Sequence, residues 1–311
     1  MATIAQWVEG ARLRTLPLAI APVLIGTGAA IGAMGGFSSL IIGSVDPAER
    51  PEVGIGTVLV RALLAVIVSL GLQIGSNFAN DYSDGIRGTD DVRVGPQRLT
   101  ASGAAPAAAV KRAAFIAFGI AALAGVILVL VSQAWWFIPV GILAVLAAWF
   151  YTGGSHPYGY YAMGEVFVFI FFGLVATLGT TYVMIERLPP AAWAGAVAIG
   201  LFSCAVLMVN NLRDIPTDAE AGKTTLAVLL GDAHSRTVYA VMVAVPYLLL
   251  LVPILTGHPA SVLAALSLVL AIAPLQTVLG GAEGTALIPP IKNTGLTALT
   301  YSALLALGLS L

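Results

Sequence analysis

Asn80-Asp81-Tyr82-Ser83-Asp84-Gly85-Ile86-Arg87-Gly88-Thr89-Asp90-Asp91 closes a long apolar run with four carboxylates and one arginine. Hydrocarbon does not solvate charge, so ionisable groups at this density belong at a water-facing mouth or in a site that pairs them. A second stretch of the same kind, Asn210-Asn211-Leu212-Arg213-Asp214-Ile215-Pro216-Thr217-Asp218, ends another apolar run about 130 residues later. Much of the remaining sequence reads as apolar scaffold. The expectation is that the two stretches face each other across one metal-diphosphate site.

Of the 311 residues, 59% are hydrophobic and 9% charged, whereas a soluble globule carries about 25% charged residues. The chain therefore reads as an all-α integral membrane protein, a single polytopic domain over 1–311 whose apolar surface faces lipid. A net charge of −1, with basic residues scattered through loops, excludes nucleic acid as a partner. The single cysteine, Cys204, sits in an apolar run as a small buried hydrophobe, which excludes an intrachain disulfide and a cysteine-cluster metal site. Trp7, Arg12 and Arg14 precede an apolar run that continues through Gly36, too long for a signal-peptide core, so this run is read as the first membrane helix.

Segments of about 20 apolar residues place nine membrane helices, at 16–36, 57–79, 110–131, 134–152, 164–185, 190–210, 236–256, 259–280 and 291–311. With nine spans, one face collects eleven of the Lys and Arg residues and the other only Arg50, Arg61 and Arg187. The basic-rich face is then cytoplasmic, in a cell membrane, and both Asp-rich stretches lie on it. Gly28, Gly32 and Gly36 are spaced for close helix packing, and Pro139, Pro246, Pro253 and Pro274 should bend their helices around a cavity. The 37–56 loop, with Asp46, Glu49 and Glu52, reads as an outer connector.

Asn80 and Asp84 are four apart, as are Asn210, Asp214 and Asp218, so a helix continuing into each loop would stack these oxygens on one face. Asp81, three before Asp84, can share it. Hard oxygen ligands in two convergent groups suit Mg²⁺, which bridges carboxylates to substrate phosphates, and the histidines show no ligand spacing. Six aspartates (81, 84, 90, 91, 214 and 218), one diphosphate and two Mg²⁺ leave the site negative by about five charges. Arg87, Arg213 and Lys223 are the expected compensating cations, with Arg12, Arg14, Arg93, Arg98 and Lys292 as further candidates.

Asn80-Asp81-x-x-Asp84 with Gly88-Thr89-Asp90, Asn210-Asn211-x-Arg213-Asp214-x-x-x-Asp218 and Lys223-Thr224-Thr225-Leu226-Ala227 together resemble the UbiA-type membrane prenyltransferases, over nearly the whole chain. Arg12-Leu13-Arg14-Thr15-Leu16-Pro17, Tyr151-Thr152-Gly153-Gly154 and Pro157-Tyr158-Gly159 look most like the branch that prenylates 1,4-dihydroxy-2-naphthoate for menaquinone, although Leu13 stands where that branch has proline. Asp90, six after Asp84, fits this branch better than the tighter spacing of the hydroxybenzoate branch.

The resemblance implies nine helices around a central cavity capped by the two Asp-rich loops. It implies transfer of a polyprenyl group from its diphosphate to the naphthoate, with loss of the ring carboxylate as CO₂, giving demethylmenaquinone. Carried over by position, Asn80, Asp81, Asp84, Asn210, Asp214 and Asp218 would hold Mg²⁺, and Arg87, Arg213 and Lys223 the diphosphate. Asp90 or Asp91 would orient the acceptor or assist its proton loss. Arg14, Tyr151 or Tyr158 would recognise the naphthoate, and membrane lipid would flank the tail. A cation-coupled transporter is the rival from another class, but its acids belong at mid-membrane, and the only plausible inward carboxylate within the assigned helices, Glu165, sits near a helix end. A CDP-alcohol phosphatidyltransferase needs a D-G-x-x-A-R run that Asp84-Gly85-Ile86-Arg87 does not continue. A related enzyme with another aromatic acceptor is the closer competitor.

Overall fold

Segments this apolar satisfy their backbone only as helices, since lipid offers N–H and C=O groups no partner. The computed structural model describes residues 2–41, 53–88 and 98–311, and among them an isolated Tyr161–Thr224 bridge is the only β pairing. Asp90, Asp91, Arg93 and the acidic residues of the 37–56 connector lie outside the described residues.

In chain order the helices are α1 (Ile4–Gly10), α2 (Pro17–Ala33), α3 (Gly36–Ile41), α4 (Ile55–Arg87), α5 (Ala107–Ser132) and α6 (Phe137–Phe150). They continue as α7 (Gly164–Ile185), α8 (Pro190–Arg213), α9 (Ile215–Glu220), α10 (Leu226–Leu255), α11 (Pro259–Leu279) and α12 (Ile288–Ser310). Each of the nine expected spans coincides with one of these. Nine full crossings do not follow, because among the described residues six helices are long and apolar enough to span a bilayer. The number is seven if Ile4–Thr15 and Pro17–Ala33, bent by 47°, form one span. At 14 residues α6 is the short one, about 21 Å against a hydrocarbon thickness of about 30 Å.

α8 is the axis of the bundle. In its most apolar window 78% of residues are buried, against 33% or less in the other five long helices. Its alanines and glycines let α2, α7, α10 and α12 approach closely. The α2–α12 seam works the same way: a Cβ on Gly28 would meet Ala306 Cα at 2.5 Å, and one on Gly32 would meet Leu309 O at 2.3 Å. Tyr301 and Tyr239, both fully buried, satisfy their hydroxyls on Pro246 O (2.8 Å) and Thr294 Oγ1 (2.8 Å).

Two helix ends position the site. α4 runs on for 33 residues, about 50 Å, so it outlasts the hydrocarbon and carries Asn80 and Asp84 as helical residues. It stops where Gly88 adopts φ +76, the left-handed cap that glycine takes without Cβ strain. α8 breaks at Asp214, because Pro216 has no N–H to continue the ladder and instead starts α9 at its second position. The expected continuous helix through Asn210, Asp214 and Asp218 is therefore kinked, yet α9 still carries Asp218 round to the same side.

Gly28→Leu should wedge α2 from α12 and lower stability by about 1–3 kcal/mol or more. Thermal unfolding of the detergent-solubilised protein measures this, and an unchanged melting temperature would show that the seam carries no load.

Candidate active site

One stripe of α4 faces a cavity of about 630 Å³ enclosed by α2, α4, α5, α6, α7 and α8. Its members recur at three- and four-residue steps, as one helix face requires. At the polar end stand Asp84, Asn80, Asn77, Ser76 and Gln73, and further in come Leu72, Val68 and Ala65. Nineteen residues of helix separate Asp84 from Ala65, about 28 Å. The cavity thus passes from a charged mouth to an apolar interior nearly as deep as the bilayer core.

At the mouth, each cavity-facing aspartate is held. Asp84 accepts from the Tyr160 hydroxyl at 2.9 Å, and the Arg98 guanidinium lies 3.9 Å from its other oxygen. Asn80 is oriented by the Thr152 hydroxyl at 2.8 Å. Asp214 takes a two-pronged grip from Arg213, at 2.7 and 2.6 Å, and the same guanidinium reaches Asn210 Oδ1 at 3.0 Å. Asp218 pairs with Lys223 Nζ at 3.2 Å. Tyr160 joins the two halves: its hydroxyl serves Asp84, its carbonyl accepts from Thr224 N at 2.9 Å, and Lys223 lies over its ring, 5.5 Å from the centroid.

The structure brings Asn80, Asp84, Asn210, Asp214, Asp218 and Lys223 to one cavity wall system, together with Tyr151 and Tyr158. Four expected residues sit elsewhere. Asp81 turns to the loop beyond α4, where its two oxygens accept from Leu99 N (2.8 Å) and Thr100 N (2.9 Å). Arg87 donates to the carbonyls of Thr152 and Gly154 and lies over the Tyr160 ring, 5.6 Å from its centroid. Arg213 points into Asn210 and Asp214 rather than into the cavity, so it braces those two side chains and does not itself line the cavity. Arg14 is outside the lining, while Arg12 and Arg98 are part of it.

Tyr158 donates to Ala147 O at 2.8 Å and stacks on Phe167, and burial pushes its phenol pKa up, so it stays protonated. Tyr160, Gln73 and Asn77 are the residues that sequence reasoning missed. Gln73 and Asn77 carried a signal, since they extend the Asn80–Asp84 stripe backward by helical steps inside an apolar run. Both bond to Thr15 Oγ1, at 3.2 and 3.1 Å, and so pin the amino-terminal segment to the cavity. Asn211, also in the lining, donates from Nδ2 to the buried Glu165 at 3.0 Å.

Among the described residues no three His, Cys, Asp or Glu side chains converge tightly enough to hold an ion unaided. The facing donors are all carboxylate or amide oxygens, a set that matches a hard divalent cation, with remaining positions left to oxygens of a bound substrate.

The pattern of the UbiA prenyltransferase family matches residues 19–282. The chain belongs to this family. The match spans both Asp-bearing stretches and most of the helical bundle. The 1,4-dihydroxy-2-naphthoate octaprenyltransferase of Mycobacterium tuberculosis (strain ATCC 25618 / H37Rv) is 47% identical over 306 residues, covering 98% of this chain and 97% of that one. The protein of the same name from Mycobacterium leprae (strain TN) is 44% identical over 312 residues, covering 100% and 98%. Among solved structures, a UbiA homologue from Archaeoglobus fulgidus bound to GPP and Mg²⁺ superposes with a TM-score of 0.54 at 14% identity, over 95% of this chain and 99% of that one. At that identity the likeness is one of fold.

Within this UbiA chain, Asp81 and Asp84 separate by experiment. Asp81→Asn places an amide where two backbone N–H groups need acceptors and should cost about 1–3 kcal/mol of stability. Asp84→Asn, which keeps an oxygen for the Tyr160 hydroxyl and loses only the long 3.9 Å pairing with Arg98, should cost less stability than Asp81→Asn. Equal destabilisation by both, or none by Asp81→Asn, would contradict the loop-holding role of Asp81.

Proposed function

We propose that the protein transfers a polyprenyl group from its diphosphate to 1,4-dihydroxy-2-naphthoate in menaquinone biosynthesis. The observation that carries the reading is the cavity itself, whose mouth gathers Asn80, Asp84, Asn210, Asp214 and Asp218 with Arg98 and Lys223 and whose interior is apolar. A diphosphate headed by a long hydrocarbon has this same division. The names of the relatives support the naphthoate as acceptor.

In the proposed reaction the bond from the allylic carbon to the diphosphate oxygen breaks, and its electron pair leaves with the diphosphate. A carbon–carbon bond forms to the ring at the carbon that bears the carboxylate, and the carboxylate departs as CO₂ and returns its electron pair to the ring, leaving the prenylated product as the quinol. Arg98 and Lys223, which line the mouth, would bind the diphosphate oxygens through charge-assisted bonds. Arg213 and Tyr160 fix the carboxylates so that little reorganisation is needed as charge develops. The apolar walls keep water from the allylic cation.

The oxygen donors fit a pair of Mg²⁺ ions, with Asn80 and Asp84 on one side and Asn210, Asp214 and Asp218 on the other. Bound Mg²⁺ would supply positive charge to the departing diphosphate. Tyr151 and Tyr158 are the proposed wall for the naphthoate. Arg12, which lines the cavity, suits its carboxylate better than Arg14. The excess of Lys and Arg at the polar end supports an orientation with this mouth on the cytoplasmic side of a cell membrane.

Membranes given labelled farnesyl diphosphate and 1,4-dihydroxy-2-naphthoate should form a prenylated, decarboxylated product that disappears on chelation of Mg²⁺. Asp84→Asn and Asp214→Asn should each lose about a hundredfold or more in rate. Prenylation of a different aromatic acid instead would move the acceptor within the same chemistry, while full activity in both variants would remove the shared site.

A further inference from the structure

Glycines in the membrane-spanning helices of this chain fall into two groups. Most are forced by packing: a Cβ on Gly71 would meet Ala121 Cβ at 2.9 Å, and one on Gly75 would meet Phe118 Cε1 at 2.4 Å. Gly125 on α5 and Gly141 on α6 are different. A Cβ on Gly125 meets only Val68 Cγ2, at 3.7 Å, and one on Gly141 meets nothing within 4 Å. Helix packing therefore does not require glycine at either place, and glycine costs a helix interior about 1 kcal/mol relative to alanine. Both residues line the cavity. What glycine preserves there is open space.

Their depths differ. Gly125 is level with Val68, sixteen residues from Asp84 along α4 and so about 24 Å from the charged mouth. Gly141 is ten residues from Tyr151, at the mouth end of α6, and so about 15 Å in. The walls at both levels are hydrocarbon, including Val68, Val129, Phe171 and Val175. An occupant reaching these levels is an extended apolar chain rather than a second polar group.

We propose that Gly125 and Gly141 gauge the donor, their absent side chains setting how long a polyprenyl tail the cavity accepts. The inference rests on the proposed prenyl-donor reading and adds two specificity-determining positions to it. A long tail passes both levels, whereas a farnesyl tail stops short of Gly125. A bulky side chain at Gly125 therefore obstructs long donors and spares short ones, and one at Gly141 obstructs from a shallower level.

The test compares Gly125→Leu and Gly141→Leu with Gly119→Leu, a control on α5 whose Cβ also meets nothing within 4 Å and which is exposed like Gly141 but does not line the cavity. Binding of farnesyl, geranylgeranyl and octaprenyl diphosphates to the purified full chain is measured with Mg²⁺ and without acceptor, alongside melting temperature. Gly125→Leu should hold farnesyl diphosphate within about twofold of wild type and weaken octaprenyl diphosphate about tenfold or more, the effect of overpacking a fitted cavity. Gly141→Leu should weaken geranylgeranyl diphosphate as well, and Gly119→Leu should match wild type at every length. If Gly125→Leu fails to fold, Gly125→Ala should show the same ordering with a smaller loss. Unchanged length preference in the folded variants, or equal weakening at all lengths, overturns the gauge while leaving the donor site intact. A wild-type protein that binds none of the three diphosphates overturns the donor reading and the gauge together.

Discussion

Charge cannot face hydrocarbon, and the architecture follows from how this chain deals with its aspartates. Each cavity-facing carboxylate is given a cation or a hydroxyl before any ligand arrives: Arg98 and Tyr160 for Asp84, Arg213 for Asp214, Lys223 for Asp218. A carboxylate left alone at such a burial would cost several kcal/mol, so these partners are a condition of folding as much as of chemistry. The same partners keep the oxygens aimed at the cavity. Arg213 shows the economy of this, since one guanidinium fixes Asn210 and Asp214 together.

Much of the scaffold was legible from composition and run length, because lipid imposes one solution on every apolar segment. Span 57–79 located a helix but not its end, since nothing in a hydropathy window says that a helix continues beyond the hydrocarbon. That continuation through Arg87 decides which neighbours share a face. It puts Asp84 with Asn80 and Asn77, and it leaves Asp81 at the edge of that stripe, about a sixth of a turn from Asp84, within reach of the Leu99–Thr100 backbone. Asp81 and Asp84 remain neighbours on the helix, and what separates them is their partners, the Leu99–Thr100 backbone for Asp81 and Tyr160 with Arg98 for Asp84.

Partner choice was the other thing hidden from the sequence. Arg87, Arg213 and Lys223 were equivalent as basic residues beside acidic ones, yet only Lys223 lines the cavity. Arg87 is drawn outward by two carbonyls left unpaired where the chain leaves α6. Tyr160 had no spacing to recommend it, because its place between the two halves depends on the loop after α6 folding back to meet Thr224. Gln73 and Asn77, by contrast, were readable as the inward continuation of a polar stripe.

The short α6 makes the surrounding bilayer part of the enzyme's shape. This helix forms one wall of the cavity, buries only Ala147, and falls about 9 Å short of the usual hydrocarbon thickness. Lipid must thin beside it, or acyl chains must fill the remainder of the wall, and either response changes with the length of those chains. The cavity is thus bounded partly by a fluid, whose thickness the cell sets independently of the gene.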